Sequence, residues 1–441
     1  MAAEPAAPGG GRFSRQTLIW ALFFLLATGL FWGLRASYWA ITTEVPFSDM
    51  SNYQTIATGI LQHGDFSQSD FWRSYRTPTT PLLRALQMAL TGPSLTAWQW
   101  FLATLTFLSL AWLAWEVGAL TRSRYLALAL VLTVALAKGS IFWSYKLSRE
   151  SVAEPLVYLG LAAMLAALRR PRPWLFLLAG AVNLAAALNR PNAFVTVPLF
   201  AAGLAGAWLW ARRGSAGPNP ARGKALAWGL AAFLLGVVLV WSPWLVRNWR
   251  IYHRVVPFSS QGPFSFLWDL GRFRVELPDG RVLVTDAREV RAQVMREFPS
   301  DMAGADYAQE LGRLWLAQNW RAYLRLLPGR AWAGWYGDQI NLTRVSRREL
   351  FPAWWNAWLP DRAPGLLFLG LAGLVALGLA YGPRLWLLPV MGLTPWLATL
   401  PFLGLPRMLE PSVPLLLFGV AAWPAVGLAL WRRWRSGPDL A

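Results

Sequence analysis

Asp49 stands just beyond the first long apolar segment, inside the polar and aromatic stretch Ile41 to Pro81. A carboxylate at the edge of a membrane span is costly, and chains keep one there mainly where it has a use. Asp49 is suited to act as a general base that removes a proton from an acceptor hydroxyl. The alternative is structural, because Asp is also a good N-cap for the helix that the following residues predict.

Several basic residues stand at short loops on the same side as Asp49, where membrane proteins usually carry few. Arginine binds phosphate bidentately, so these side chains could converge on a phosphate at the outer membrane boundary. Alternatively, each one extends along the membrane surface or pairs with Glu150, Glu154 or Glu410. These basic residues are Lys146, Arg149, Arg190, Arg247 and Arg407.

One carboxylate and several cations on one membrane face suit the transfer of a group away from a phosphate. The carboxylate would activate the acceptor hydroxyl, and the cations would stabilise charge on the departing phosphate. Nucleotide donors are absent outside the cell. The activated donor would therefore have to be carried by a lipid.

These residues must be positioned by membrane-spanning helices. The chain has 441 residues, of which 56% are hydrophobic and 29 are Trp. Its apolar runs approach the roughly 20 residues that cross a bilayer, and they lack the alternation of a β-barrel. The sequence predicts an all-α polytopic membrane protein with about 10–12 transmembrane helices and a small mixed α/β external domain. Candidate spans are 16–35, 97–118, 124–143, 150–168, 173–189, 193–211, 225–246, 363–381, 385–402 and 412–432.

The basic residues also predict orientation. Every second span end is basic, which places both termini in the cytoplasm and Asp49 outside. The net charge of +19 follows this loop pattern, and no compact basic domain indicates nucleic-acid binding. Lysine is much rarer than arginine in this sequence, which favours a GC-rich bacterial genome. In a bacterium, we expect the protein to lie in the inner membrane. The basic ends are at Arg12/Arg15, Arg122/Arg124, Arg169/Arg170/Arg172, Arg212/Arg213/Arg222/Lys224, Arg384 and Arg432/Arg433/Arg435.

We predict three parts: a transmembrane module at 1–246 with an external loop at 36–96, a small external domain at 247–362, and C-terminal helices at 363–441. In the loop, Ser51 could cap a helix that ends before His63 and Gly64, and a second helix would run from Pro81 to Leu90. The small domain should begin with a β-hairpin around Pro278-Asp279-Gly280. Helices near 286–298, 303–318 and 319–333 should follow.

Other chemistries find little support. The sequence has no Gly-rich phosphate loop, no GxGxxG and no Asp-x-Asp pair. It has no cysteine and only two histidines, which argues against a zinc or Ser-His-Asp mechanism. We therefore expect no cofactor and no required metal. A transporter or lipid flippase is the main alternative function, and a non-enzymatic membrane scaffold is another.

Several stretches together resemble the GT-C superfamily of integral-membrane glycosyltransferases. The resemblance is to the branch related to protein O-mannosyltransferases and the lipid A aminoarabinose transferase. It runs in order from about residue 44 to 425. The stretches are PFSDMSNYQTIATGIL, YRTPTTPLLRALQMALTG, KLSRESVAEPLVYLGLAAMLAAL, LNRPNAFVTVPLF, SPWLVRNWRIYHRVVPFSSQGPFSFLWDLG, LAQNWRAYLRLLPGRAWAGWY and LPRMLEPSVPLLLFGVAAW.

The resemblance implies an inverting transfer from a polyprenyl-phosphate-linked sugar to an acceptor hydroxyl on a lipid, glycan or protein. It places Asp49 as the general base and the basic residues at the donor phosphate. Tyr53, Arg76 and Glu150 are expected to bind substrate. The chain departs from many relatives at Met50, where they carry a second acidic residue.

Overall fold

The computed structural model describes residues 15–41, 49–213, 220–336, 364–400, 409 and 412–435. Long apolar helices dominate it, joined to a small domain that contains one β-hairpin. The helices are α1 (Arg15–Ile41), α2 (Asp49–His63), α3 (Thr79–Thr91), α4 (Leu95–Thr121), α5 (Arg124–Leu136), α6 (Lys138–Trp143), α7 (Arg149–Arg169), α8 (Pro173–Asn189), α9 (Thr196–Arg213), α10 (Pro220–Tyr252), α11 (Gln261–Leu270), α12 (Ala287–Glu297), α13 (Asp301–Tyr336), α14 (Pro364–Tyr381), α15 (Leu387–Leu397) and α16 (Val413–Arg435). Short 3₁₀ helices cover Pro191–Val195 and Pro383–Trp386, and the strands are β1 (Phe273–Glu276) and β2 (Val282–Thr285).

The described helices confirm an all-α polytopic membrane protein. Six are long and apolar enough to cross a bilayer, and three shorter apolar helices cover 124–136, 173–189 and 365–381. These nine fall on nine of the predicted spans. The remaining predicted span, 385–402, contains α15. The predicted spans therefore coincide with apolar helices, six of which are long enough to cross a bilayer.

Glycines let two pairs of these helices pack backbone against backbone. A Cβ on Gly180 of α8 would lie 2.0 Å from the carbonyl oxygen of Phe233 on α10. A Cβ on Gly370 of α14 would lie 2.0 Å from the carbonyl oxygen of Leu416 on α16. In a lipid environment, close approach at small residues is a main source of helix association.

The predicted span at 124–143 is not one continuous helix. It breaks at Ala137, whose backbone is extended, and a buried polar network lies at the break. There Arg35 donates to the Ser140 hydroxyl at 2.5 Å, and that hydroxyl donates to Glu154 at 2.5 Å. Tyr158 also donates to Glu154, at 3.0 Å. Burying these groups is tolerable because they form hydrogen bonds with one another.

The predicted loop helices are present with shifted starts. Helix α2 begins at Asp49, so Ser51 lies inside the helix and is not its cap. An acidic residue in the first turn complements the positive end of the helix dipole. The predicted stop is confirmed, since α2 ends at His63 and Gly64 has a φ of 65°. The helix predicted to begin at Pro81 begins two residues earlier, at Thr79.

The predicted hairpin of the small domain is confirmed. Strands β1 and β2 pair antiparallel with Phe273 opposite Thr285, and Gly280 adopts a φ of 81° in the turn. The two predicted helices after α12 form one element, α13, with a kink at Asn319, where the predicted boundary lies. Side chains of the polar loop complete the domain's apolar core, because Trp72 and Tyr75 pack inside it.

Asp301 fixes the loop, α10 and the small domain to one another. This carboxylate is fully buried and accepts hydrogen bonds from the Ser74 amide at 2.9 Å and the Ser260 hydroxyl at 2.9 Å. The Tyr252 hydroxyl also donates to it, at 2.8 Å. The segment that carries Arg76 is therefore held by α10 and the small domain. The predicted domain limits at 246 and 363 stay predictions, and α10 itself runs on to Tyr252.

Candidate active site

Asp49 lies at the start of α2 and forms an ion pair with Arg76. The distance from Arg76 Nη2 to Asp49 Oδ1 is 2.5 Å. The two partners differ in exposure, since the Asp49 side chain is 46% exposed and that of Arg76 only 4%. A buried cation thus holds one carboxylate oxygen while the carboxylate stays open to an approaching molecule.

Arg76 retains unused hydrogen-bonding capacity. Its Nε and Nη1 atoms are buried and have no hydrogen-bond partner among the described residues. The guanidinium lies 5.4 Å from the ring centre of Tyr53 and 5.0 Å from that of Tyr75. Orphaned donors of this kind are rare in folded proteins and call for a partner.

Tyr53 lies one helical turn after Asp49 on α2 and is 1% exposed. Its hydroxyl also has no hydrogen-bond partner within the described part of the chain. Burial raises the pKa of this hydroxyl, with the charges of Asp49 and Glu150 acting in the same direction and those of Arg149 and Arg76 opposing it. The charges of four other sequence-predicted site residues thus act on the Tyr53 hydroxyl.

Arg149 joins this cluster from the first turn of α7. Its segment is fixed by a capping box in which the Ser148 hydroxyl accepts from the Ser151 amide and the Ser151 hydroxyl accepts from the Ser148 amide. Glu150, the next residue, is buried. Arg149 lies within electrostatic reach of Asp49. A helix N-terminus adds a partial positive charge to that of the guanidinium.

Arg190 follows the last residue of α8, where the chain turns into the 3₁₀ helix Pro191–Val195. It is 6% exposed. Both Arg149 and Arg190 line a cavity of about 890 Å³ whose surface is mainly apolar. Part of its wall comes from membrane-spanning segments and part from α11 and α13 of the small domain. The other lining residues include Phe194, Val195, Pro198, Phe258, Phe266, Leu316 and Ala398.

Three arginines line this apolar cavity, and one of them, Arg313, pairs with Glu310. The other two, Arg149 and Arg190, suit a ligand that is both apolar and anionic. Binding cavities commonly combine apolar walls with a few polar groups that fix orientation. Since Arg149 also reaches the charge of Asp49, it connects the cavity with the carboxylate cluster.

The remaining predicted cations make other contacts or lie outside the described residues. The Lys146 ammonium lies 4.5 Å from the ring centre of Phe142. Arg247 holds the polar loop: it donates to the Ser74 hydroxyl at 2.8 Å, to the carbonyl of Arg73 at 2.8 Å and to the carbonyl of Phe66. A donor-phosphate role for both stays a prediction. Arg407 lies outside the described residues.

Sequence reasoning missed the residue that connects these segments, Asn189. It is fully buried and bonded to Thr77, Thr80 and the backbone of Arg149. The available signal was polar composition, since the YRTPTTP loop carries three threonines and LNRPN places an amide beside an arginine. Neither pattern tells which partner each polar group will find.

The cluster offers no evident metal site among the described residues, in which no group of three or more His, Cys, Asp or Glu side chains could hold an ion. Met50, the departure noted in the sequence, is buried in an apolar cluster with Tyr53 and Trp98. The position beside Asp49 thus serves packing. The charged neighbour of the Asp49 carboxylate is Arg76 instead.

The fold is similar to that of archaeal oligosaccharyltransferases, which are GT-C glycosyltransferases. One is AglB from Archaeoglobus fulgidus in complex with an inhibitory peptide and a dolichol-phosphate, at a TM-score of 0.55 and 12% identity over 97% of this chain. The Archaeoglobus fulgidus oligosaccharyltransferase in complex with Zn and sulfate has a TM-score of 0.52 and 13% sequence identity over 94% of this chain. Its apo form has a TM-score of 0.53 and 12% identity over 94% of this chain. The chain spans about half of these proteins, at 52%, 51% and 52% of their respective lengths.

No protein-family model matches the sequence, and no curated protein matches it. At this level of identity, the structural likeness establishes the GT-C fold. The fold alone does not determine the activity, the donor or the acceptor, which depend on the residues of the site.

Proposed function

We propose that this protein is a glycosyltransferase of the GT-C type. It would transfer a sugar from a polyprenyl-phosphate-linked donor to an acceptor hydroxyl, with inversion at the anomeric carbon. The observation that carries the proposal is the position of Arg149, which lines the apolar cavity and also lies within electrostatic reach of Asp49. The narrower relation to protein O-mannosyltransferases and the aminoarabinose transferase stays a prediction.

In the proposed reaction, Asp49 removes the proton from the acceptor hydroxyl while the hydroxyl oxygen attacks the anomeric carbon of the donor sugar. The bond between that carbon and the donor phosphate oxygen breaks, and its electron pair stays on the phosphate. Arg149 and Arg190 stabilise the resulting charge. Arg76 orients the Asp49 carboxylate, and the Tyr53 hydroxyl is available to a polar group of the substrate.

The cavity supports a lipid as the carrier of the sugar. Its wall includes side chains from the start of α9 and from the residues after α15, which are membrane-spanning or adjoin spans. One solved neighbour was obtained with a dolichol-phosphate and a peptide. For this chain we propose a lipid-phosphate donor of undecaprenyl type, a bacterial inner-membrane location and an active site on the outer face. The acceptor is a lipid, glycan or protein hydroxyl.

Binding of the lipid phosphate tests this proposal without knowledge of the sugar. Purified protein in lipid nanodiscs would be titrated with undecaprenyl phosphate and, as the matched control, with undecaprenol, which lacks the phosphate. We expect only the phosphate to raise the midpoint of thermal unfolding in a concentration-dependent way. Equal effects of the two lipids would contradict a phosphate site. Transport of the lipid across liposomes that contain no acceptor would favour the flippase alternative.

A further inference from the structure

Asn189 makes three hydrogen bonds to two separate segments of the site. Its backbone carbonyl accepts from the Thr77 hydroxyl at 2.9 Å, and its side-chain oxygen accepts from the Thr80 hydroxyl at 2.6 Å. Its side-chain nitrogen donates to the backbone carbonyl of Arg149 at 2.8 Å. Asn189 is fully buried, so water does not replace these bonds.

Each bonded part carries a charged site residue. Thr77 directly follows Arg76, the partner of Asp49. The carbonyl belongs to Arg149 itself, and Asn189 directly precedes Arg190. A single residue at the end of α8 thus bonds the segment 77–80 and the start of α7, and the chain runs directly from it into Arg190 and the 3₁₀ helix.

The chemistry of this position requires an amide. The Thr80 hydroxyl needs an acceptor and the Arg149 carbonyl needs a donor, and an amide supplies both on adjacent atoms. A carboxylate would lose the donor and bury a charge. An aliphatic residue would leave the Thr80 hydroxyl without this acceptor.

The loop has a second attachment to α8 that does not involve Asn189. The Thr79 hydroxyl donates to the Ala185 carbonyl at 2.8 Å. Removing the Asn189 side chain should therefore leave the loop docked, while the relative placement of Arg76 and Arg149 loosens. Displacements of about 1 Å in such a site can cost about a hundredfold in rate.

We propose that Asn189 is a positioning residue that sets Arg76 and Arg149 relative to Arg190 for the lipid-phosphate donor. The inference rests on the proposed function and extends it to a residue that touches no substrate. Its effect should appear in donor affinity as well as in stability. A residue with a purely structural role would change stability alone.

Helix α8 supplies a matched control in Asn183. This second buried asparagine donates to the Ala179 carbonyl at 2.8 Å and accepts from the Thr196 hydroxyl at 3.2 Å. These bonds stay within α8 and its connection to α9. Asn183→Ala removes a comparable buried amide whose hydrogen bonds reach neither the loop that carries Arg76 nor the first turn of α7.

The test measures undecaprenyl-phosphate affinity and the unliganded melting temperature of each variant in nanodiscs. We expect Asn189→Ala and Thr80→Val to weaken affinity by about tenfold or more, as for loss of one buried hydrogen bond. Thr80→Ser, which retains the hydroxyl, should restore affinity to near the wild-type value. Asn183→Ala should lower the melting temperature and leave affinity unchanged.

The outcomes separate this inference from the proposed function. If wild-type protein binds the lipid phosphate and Asn189→Ala binds it equally well, the positioning role is wrong. Equal losses of affinity in Asn189→Ala and Asn183→Ala would also overturn it, since they would reflect general destabilisation. If the wild-type protein shows no phosphate-dependent binding, the proposed function fails and this inference fails with it.

Discussion

The Asp49 carboxylate is held by the guanidinium of Arg76 at 2.5 Å, and the arginine is the buried partner. Arg76 is 4% exposed and packed near Tyr53 and Tyr75, so its guanidinium holds the carboxylate in a fixed orientation. One oxygen of Asp49 faces the arginine, and the carboxylate remains accessible to a hydroxyl. Breaking a partly buried pair by removing one partner is costly because the other charge loses its compensation.

Arg76→Gln should therefore lower the transfer rate. We expect a loss of about tenfold to a hundredfold in kcat, because the carboxylate loses the charge-assisted bond that orients it. Arg76→Lys should recover only part of the rate, since lysine cannot reproduce the guanidinium geometry. The measurement is single-turnover transfer from the lipid-linked donor.

Arg73→Gln is the matched control for Arg76. Arg73 is exposed in the same loop, and its side chain donates to the nearby Asp70 carbonyl at 3.2 Å. Its replacement should leave kcat within about twofold, as is usual for surface changes. Equal losses in both variants would show that the loop as a whole, and not the ion pair, determines the rate.

Arg149→Gln and Arg190→Gln should weaken binding of undecaprenyl phosphate. Each loses a charge-assisted contact to phosphate, which corresponds to about tenfold to a hundredfold in affinity. Arg254→Gln is the control, because Arg254 pairs with Asp306 on the partly exposed surface of the small domain. Unchanged affinity in both cavity variants would show that the phosphate does not bind in this cavity.

Arg247→Gln distinguishes a structural role from a phosphate-binding one. The variant loses donors to Ser74 and to two loop carbonyls, so its melting temperature should fall. A fall in lipid-phosphate affinity beyond that of an equally destabilised control would place the phosphate near Arg247 as well.

Tyr53→Phe should reduce substrate binding without destabilising the protein. The change keeps the buried ring and its position near Arg76, and it removes a hydroxyl that lacks a partner in the described structure. Removing an unsatisfied buried group is neutral or stabilising, whereas losing its bond to substrate should cost roughly tenfold in kcat/KM. Thermal unfolding and transfer kinetics give the two readouts.

The pKa of Tyr53 also predicts a pH result. Burial raises this pKa above the ordinary tyrosine value of about 10, so the hydroxyl stays protonated throughout a normal assay range. Wild type and Tyr53→Phe should therefore have pH–rate profiles of the same shape up to about pH 9. A basic limb that disappears in Tyr53→Phe would contradict this.

Activity should withstand removal of divalent metal. The fixed counter-charge at Asp49 is the Arg76 guanidinium, which chelators do not remove. We expect transfer rates before and after EDTA treatment to agree within about twofold, a change too small to reflect loss of a Lewis acid. Loss of activity with EDTA, restored by Mg²⁺ or Mn²⁺, would show that a metal takes part.

Much of the fold could be predicted because apolar runs and turn residues are local signals. The spans, the hairpin at Gly280 and the kink near Asn319 all follow from short segments. Asp49, Tyr53, Arg76, Arg149 and Glu150 were named from the sequence, and the structure brings them together.

The contacts that hold the site could not be predicted. Thr80 and Asn189 are 109 positions apart, and Arg35 and Ser140 are 105 apart, so only helix packing decides that they meet. Arg247 was predicted from its charge and its place at a span end, and neither feature reveals that loop carbonyls occupy its donors. Polar groups in a packed interior choose partners by geometry that a single sequence does not display.

The central claim is that Asp49 is the general base, and Asp49→Asn tests it most directly. Mass spectrometry of the lipid that co-purifies with the protein would identify the donor for a single-turnover transfer assay. Asp70→Asn, an exposed change in the same loop, is the matched control. The account predicts a loss of about a hundredfold to ten-thousandfold for Asp49→Asn, with undecaprenyl-phosphate binding retained and Asp70→Asn near wild type. Wild-type transfer by folded Asp49→Asn protein would contradict it.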